Sequence, residues 1–122
     1  DMIVLPGGMP GTTNLYADKR VTSAVRAMYD AGKYVAAICA APSVILGGMG
    51  LLKGRKATCY PGMEDGMEGA EAVPATCVTD GKIITACGVG GALDFACALI
   101  TALISREKAD EIALSVVYHA AN

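Results

Sequence analysis

Apolar residues fall in short blocks along this chain, and several of the blocks stop at glycine, proline or a cysteine. Met2–Leu5 is apolar throughout and ends at Pro6-Gly7-Gly8, and Tyr34–Ile38 is apolar throughout and ends at Cys39. Runs of that length with no polar side read as strands buried on both faces of a parallel sheet. Lys56–Tyr60 reads as a third, shorter strand. Thr76–Thr79 and Lys82–Ala86 flank Asp80-Gly81, the best hairpin signal in the chain. Helical spacing fills the intervals. Asp18 stands where an N-cap belongs, Val21, Val25, Met28 and Tyr29 share one helical face behind it, and Gly32 closes that helix. Ala41–Leu46 is helix-compatible and stops in Gly47-Gly48-Met49-Gly50. Gly88-Val89-Gly90-Gly91 leads into a helix with Ala92, Ala96, Leu99, Ile100 and Leu103 on one face. Ser105 caps a last helix carrying Ala109, Ile112, Ala113, Val116 and Val117. Pro6, Gly7, Gly8, Pro10 and Gly11 read as a tight loop, and the acidic, glycine-rich Met63–Glu71 as a solvated surface loop or short exposed helix. Strands alternating with helices predict an α/β fold: a mostly parallel sheet with helices on both faces and the hairpin as an antiparallel element at one edge.

Composition narrows the function. With 122 residues the chain is long enough for a single domain with a real core. Hydrophobic residues make up 53% and charged ones 18%, which places it among globular proteins. A net charge of −2 gives no electrostatic reason to expect nucleic acid or an anionic membrane as partner, and one Phe with no Trp provides no stacking platform for single strands. No apolar run reaches the roughly 18 residues of a membrane span. The five cysteines are odd in number and none has CxxC spacing, so neither a disulfide scaffold nor structural zinc is expected, and free thiols in a reducing cytoplasm fit better. The chain runs from Asp1 directly into an apolar strand, which leads to the expectation of a fragment or one product of a cleaved polypeptide.

The chemistry concentrates at two places. Cys39 ends an apolar strand and a helix-compatible segment follows at once. A strand-to-helix turn of this kind fixes a thiol's position, and the helix N-terminus supplies unpaired N–H groups and a partial positive charge that favours thiolate. The alternative is a small core residue, because free cysteine is among the most buried types. Gly7-Gly8 ends the preceding strand, and in an open parallel sheet ligands bind beyond the carboxyl ends of the strands. There the Gly8 and Ala40 N–H groups can serve as an oxyanion hole beside the sulfur, or the glycines can be a turn and nothing more. Other motifs are weak. Gly88-Val89-Gly90-Gly91-Ala92-Leu93 lacks the last glycine of a dinucleotide fingerprint, no Walker A pattern is present, and no cofactor is expected. His119 is the single histidine, too few for a metal cluster, and a Cys-His dyad would need the tail to fold back onto Cys39.

Val4-Leu5-Pro6-Gly7-Gly8-Met9-Pro10-Gly11 and Ala36-Ala37-Ile38-Cys39-Ala40-Ala41-Pro42 resemble the ThiJ/PfpI superfamily, in particular the branch that contains the Parkinson-disease-associated deglycase. Ala57-Thr58-Cys59-Tyr60-Pro61, the Asp80-Gly81 hairpin, Ile84-Thr85-Ala86-Cys87-Gly88-Val89-Gly90 and Asp94-Phe95-Ala96 follow in the same order, so the resemblance covers the whole chain. It implies a flavodoxin-like (class I glutamine amidotransferase-like) sandwich, a homodimer, and Cys39 as reactive elbow cysteine. The amides of Gly8 and Ala40 would hold an oxyanion or a sulfinate, with Gly7, Tyr60 and Cys87 lining the pocket. The implied activities are glyoxalase and deglycase chemistry on small reactive carbonyls. The implied non-enzymatic alternatives are redox sensing and chaperone-like holding. The family's proteases carry His directly after the nucleophile, where this chain has Ala40. Three departures stand out. The glutamate that partners the cysteine lies in an N-terminal βα unit that would precede Asp1, so the resemblance implies missing first strands and a separate N-terminal fragment as a candidate partner. Tyr60 takes the place of a histidine found in some relatives, and Cys87 that of an arginine, which removes a positive charge and adds a candidate resolving thiol. Cys59, Cys77 and Cys97 are expected to pack rather than react.

Overall fold

The structure, a computed structural model, describes residues 1–119. Four strands form one sheet in the order β1-β2-β6-β5: β1 Met2–Leu5, β2 Tyr34–Ile38, β6 Ile83–Ala86 and β5 Cys77–Asp80. β1, β2 and β6 are parallel, and β5 runs antiparallel to β6 at the edge, as the hairpin pattern predicted. Asp80 pairs with Ile83, so the turn residues are Gly81-Lys82 and not Asp80-Gly81, with Gly81 at φ 60 as the first position of a primed turn requires.

Strand alternation sorts the core into two layers. Val35 and Ala37 of β2 face a cluster with Leu5, Val25, Ile45, Leu46, Leu52 and Met67, while Ala36 faces Ile84, Ala86 and Phe95 on the other side. Helix α2 (Lys19–Asp30) covers the first face and helix α3 (Ala92–Leu103) the second, so β2 and β6 are buried on both sides, whereas β1, expected to be buried on both faces, is an edge strand that leaves Val4 45% exposed. Helix α2 follows its sequence signals closely. The Asp18 carboxylate accepts the Arg20 N–H and pairs with the Arg20 guanidinium, which holds its pKa down at about 2. At the other end Gly32, at φ 72, donates to Tyr29 O while Lys33 donates to Met28 O, the paired bonds of a Schellman ending.

Elsewhere the structure departs from the pattern. The glycine–proline loop is interrupted by helix α1 (Gly11–Ala17), whose Thr12 is fully buried. The segment after Cys39 winds as a π-helical turn over Pro42–Gly47 instead of an α-helix. The predicted strand Lys56–Tyr60 shortens to β3, Lys56–Ala57, paired in parallel with β4, Glu71–Ala72. Beyond Ala57 side chains take over from the ladder, for Thr58 N–H donates to Thr85 Oγ1 and Thr58 Oγ1 donates to Ala75 O. Met63–Glu71 is not simply solvated. Met67 is 3% exposed and Met63 and Ala70 pack on the main core, because Ser43 Oγ donates to Met63 O and draws the segment inward.

The last two helices exist where expected, but their faces differ. On α3 the core-facing stripe is Phe95, Ala98, Leu99 and Ala102, and the predicted Ala92 and Ala96 are exposed. Ser105 does cap helix α4 (Arg106–Ser115) by accepting from Lys108 N–H. That helix buries only Ala109, while Val116 and Val117 lie past its end and are exposed. Its contacts are chiefly with α3, so a helical apolar period here does not face the sheet core.

Candidate active site at the carboxyl edge of the sheet

Parallel pairing brings the carboxyl ends of β1, β2 and β6 to one edge, so Gly7-Gly8, Cys39 and Gly88 become neighbours although they are distant in sequence. Cys39 has φ 65, a left-handed conformation that costs a non-glycine residue about 1–3 kcal/mol and needs outside support. The support is visible. Cys39 N–H donates to Ala86 O at 2.9 Å, and Cys39 O accepts from Tyr60 N–H at 2.8 Å, so both backbone groups are held by other elements.

Gly7 is the counterpart of this strain. A Cβ at Gly7 would lie 2.5 Å from Cys39 Cβ and 2.8 Å from Ile38 O, so only glycine lets the two loops approach this closely. Gly8, at φ 88, turns its carbonyl into α1, where it accepts both Thr12 N–H at 2.8 Å and Thr12 Oγ1 at 2.6 Å. Ala40 is 3% exposed and its carbonyl accepts from Val44 N–H. Among the described residues, neither Gly8 N–H nor Ala40 N–H finds an acceptor. Both amides belong to the two loops that meet at Gly7 and Cys39.

Tyr60 is 52% exposed, and its ring and the half-buried Cys39 thiol flank Gly88. A Cβ on Gly88 would sit 3.7 Å from Tyr60 Cδ1 and 3.9 Å from Cys39 Sγ. Cys87 is half-buried, donates its N–H to Thr76 O, and packs its sulfur 3.3 Å from where a Gly91 side chain would begin. Its thiol borders a groove that it shares with Cys59. His119 lies elsewhere. It is exposed and borders a groove with Tyr34, Cys97 and Tyr118 that none of the elbow residues lines.

The remaining thiols divide by environment. Burial pushes Cys59 up to about 11, with Glu64 and Cys39 adding to it, and Cys77 is likewise pushed up to about 11 by burial and by Asp94. At pH 8 both remain protonated, and thiols do not attack electrophiles. Iodoacetamide at that pH should label Cys59 and Cys77 on the order of a hundredfold more slowly than an ordinary exposed cysteine, with the rate rising toward pH 11. Peptide-resolved mass spectrometry checks this, and rapid native labelling of either would contradict it. Cys97 is half-buried on α3 and faces the groove near His119.

Two positioning residues escaped the sequence pattern. Thr12 and Thr85 are buried hydroxyls, one holding the Gly8 carbonyl and one the Thr58 amide that begins the run to Tyr60. A threonine carries no periodic signal of such a role. Asp94 is a further hub, accepting from Thr76 Oγ1 at 2.6 Å and from the Tyr118 hydroxyl, which pushes Tyr118 up to about 12. Among the described residues no three His, Cys, Asp or Glu side chains converge as a metal would require, and no helix is long and apolar enough to cross a membrane.

The profile of the DJ-1/PfpI family matches residues 1–102. Protein DJ-1 homolog A of Arabidopsis thaliana is 42% identical over 120 residues, covering 92% of this chain and 29% of that protein. A deglycase of Pyrococcus horikoshii is 39% identical over 87 residues, 70% of this chain and 51% of that protein. Among solved structures, oxidized DJ-1 of Toxoplasma gondii superposes with a TM-score of 0.93 at 35% identity, covering 98% of this chain and 65% of that one. The chain therefore spans between 29% and 65% of the length of these relatives. The family profile, the sequence identities and the backbone superposition agree, and the chain belongs to the DJ-1/PfpI family.

Proposed function

We propose that Cys39 is the nucleophile of a glyoxalase- or deglycase-type reaction on small reactive carbonyls such as 2-oxoaldehydes. The observation that carries this reading is the elbow: a cysteine at φ 65 beside the acceptor-free amides of Gly8 and Ala40. The Cys39 thiolate adds to the aldehyde carbon, a C–S bond forms, and the former carbonyl oxygen takes the negative charge between the two amides. Moving the C1 proton to C2 turns this hemithioacetal into a 2-hydroxyacyl thioester, and water releases the 2-hydroxy acid and regenerates the thiol. The proton transfer needs a carboxylate, which the family resemblance assigns to a glutamate ahead of Asp1 in chain order. Tyr60 can donate a hydrogen bond at the rim. The resemblance to a protein named as a deglycase supports this chemical class, and the expected setting is a cytoplasmic homodimer. Turnover of methylglyoxal by the intact protein and by Cys39→Ser is the test, and equal turnover in the two would reject the reading.

A redox reading draws on the same amides, since two free N–H donors also suit a sulfinate, and a solved relative is described as oxidized. Stoichiometric peroxide followed by peptide mass spectrometry separates the two. Two oxygens confined to Cys39 in a protein that never turns over a carbonyl favour the sensor, whereas turnover with a reduced Cys39 favours the enzyme.

A further inference from the structure

Helix α1 packs against the Pro42–Gly47 turn that follows Cys39, and it is bonded to the backbone on both sides of the elbow. Thr12 and Tyr16 stand four residues apart on it and so share one face. At one end the fully buried Thr12 gives the Gly8 carbonyl two bonds, from its hydroxyl at 2.6 Å and from its N–H at 2.8 Å. At the other end the Tyr16 hydroxyl donates to Gly48 O at 3.0 Å, just past the π-helical turn. The tyrosine ring lies so close to that backbone that a Cβ on Gly48 would stand 2.7 Å from Tyr16 Cζ and 2.5 Å from Val44 O. Val44 in turn donates its N–H to Ala40 O at 2.9 Å, which closes the path back to the elbow. The loop that Thr12 holds is also the one that meets the nucleophile, since a Cβ on Gly7 would lie 2.5 Å from Cys39 Cβ and 3.3 Å from Ala40 N.

We infer that α1 is a brace across the site, and that Thr12 and Tyr16 are positioning residues for Cys39. Thr12 acts through Gly8, and Tyr16 acts through the turn that starts at Ala40. The inference rests on Cys39 as nucleophile and adds what holds its surroundings in place. Pairing between β1 and β2 ends at Leu5 and Ala37, so beyond those residues no ladder sets the separation of the Gly8 loop from the Ala40 turn. Helix α1 sets it instead, through two hydroxyls on one face. Valine at position 12 would keep the side-chain shape and the N–H bond but leave the Gly8 carbonyl with one donor, which frees the loop to shift against Cys39. A shift of this kind costs rate rather than ground-state binding, because the charge that the amides meet develops in the transition state.

Methylglyoxal turnover and thermal melting of the intact protein test the brace together. Thr12→Val should lower kcat by about tenfold with KM moving less than about twofold, while melting changes little because the packing is kept. Thr12→Ser should show the reverse pattern. Its hydroxyl still reaches the Gly8 carbonyl, so kcat stays within about twofold of the native value, but the buried methyl is lost and melting falls. Tyr16→Phe removes a hydroxyl bond at the surface, where folding is not at stake, and should lower kcat by about threefold. The double variant Thr12→Val with Tyr16→Phe should lose no more than Thr12→Val alone, because a brace released at one end holds nothing at the other. A loss of about thirtyfold, the product of the two single effects, would show that the hydroxyls act separately and overturn the brace. A kcat that follows melting temperature across the variants, or a native kcat in Thr12→Val, would make Thr12 a packing residue and overturn it too, with the nucleophile left standing. Equal turnover in the native protein and Cys39→Ser would remove the nucleophile and the brace with it.

Discussion

Exchange of Cys39 for serine is expected to lower methylglyoxal turnover by about three orders of magnitude while leaving the fold intact. The exchange is nearly isosteric, and the backbone bonds to Ala86 O and from Tyr60 N–H do not involve the side chain. What changes is the nucleophile. A thiol near neutral pH has a usable thiolate fraction, whereas a serine hydroxyl requires a strong base held against it. The position makes a second, opposite prediction for stability. Because Cys39 sits at φ 65, Cys39→Gly should be more stable than Cys39→Ala by about 1 kcal/mol, since glycine adopts that conformation without steric penalty. Comparing turnover and thermal melting of the three variants checks both effects. A glycine variant that is less stable than alanine would mean the elbow holds no strain, and a serine variant with full turnover would remove Cys39 from the chemistry.

Gly7→Ala should produce the largest structural effect of any single methyl group near the site. The added Cβ would lie 2.5 Å from Cys39 Cβ and 2.8 Å from Ile38 O, distances that real side chains do not tolerate. Neither neighbour can yield cheaply, because Ile38 ends a strand paired on both sides and Cys39 is tied through both backbone groups. Relief must therefore come from moving the Gly7-Gly8 loop away from the elbow. We expect a loss of about 3 kcal/mol, with a melting temperature lower by roughly 10 °C. Turnover should fall as well, since Gly8 N–H moves with the loop. Gly11→Ala is the control. A Cβ there meets nothing within 4 Å, and Gly11 begins helix α1, so the change should be neutral or stabilising by about 0.5–1 kcal/mol. Similar melting temperatures for the two variants would show that the close approach at Gly7 is not tight in solution.

Much of this arrangement is legible in the order of residues, because it is local. Uninterrupted apolar runs, a cap at Asp18, a glycine at position 32 and a serine at 105 each act on their immediate neighbours, and each element lies where expected, although only Tyr34–Ile38 is buried on both faces because Met2–Leu5 forms the sheet edge. The turn of the hairpin lies one residue further on than expected, a small shift because Asp80 and Gly81 both favour turns and only the pairing register decides between them. Helix α1 is hidden by its own punctuation. Two prolines and three glycines signal a loop, yet Gly8 and Pro10 carbonyls accept from Thr12 and Asn14 and start a helix directly after them.

The chain's sequence on its own determined that the protein is an α/β sheet with Cys39 at a strand end and glycines at the neighbouring strand end, since side-chain period and turn chemistry are properties of adjacent residues. Tertiary structure decided everything that depends on which distant surfaces meet. It chose Phe95, Ala98, Leu99 and Ala102 as the buried stripe of α3 because that side lies against β6 and β2, and it left Val116 and Val117 exposed, with no element covering them among the described residues. It drew Met67 into the core through the Ser43 tie to Met63. It also assembled the elbow's support from Gly7, Ala86, Tyr60, Thr12 and Thr85, whose roles arise from approach distances and long-range hydrogen bonds. A strained backbone is held only by contacts made around it, and those contacts exist only once the sheet has brought three strand ends together.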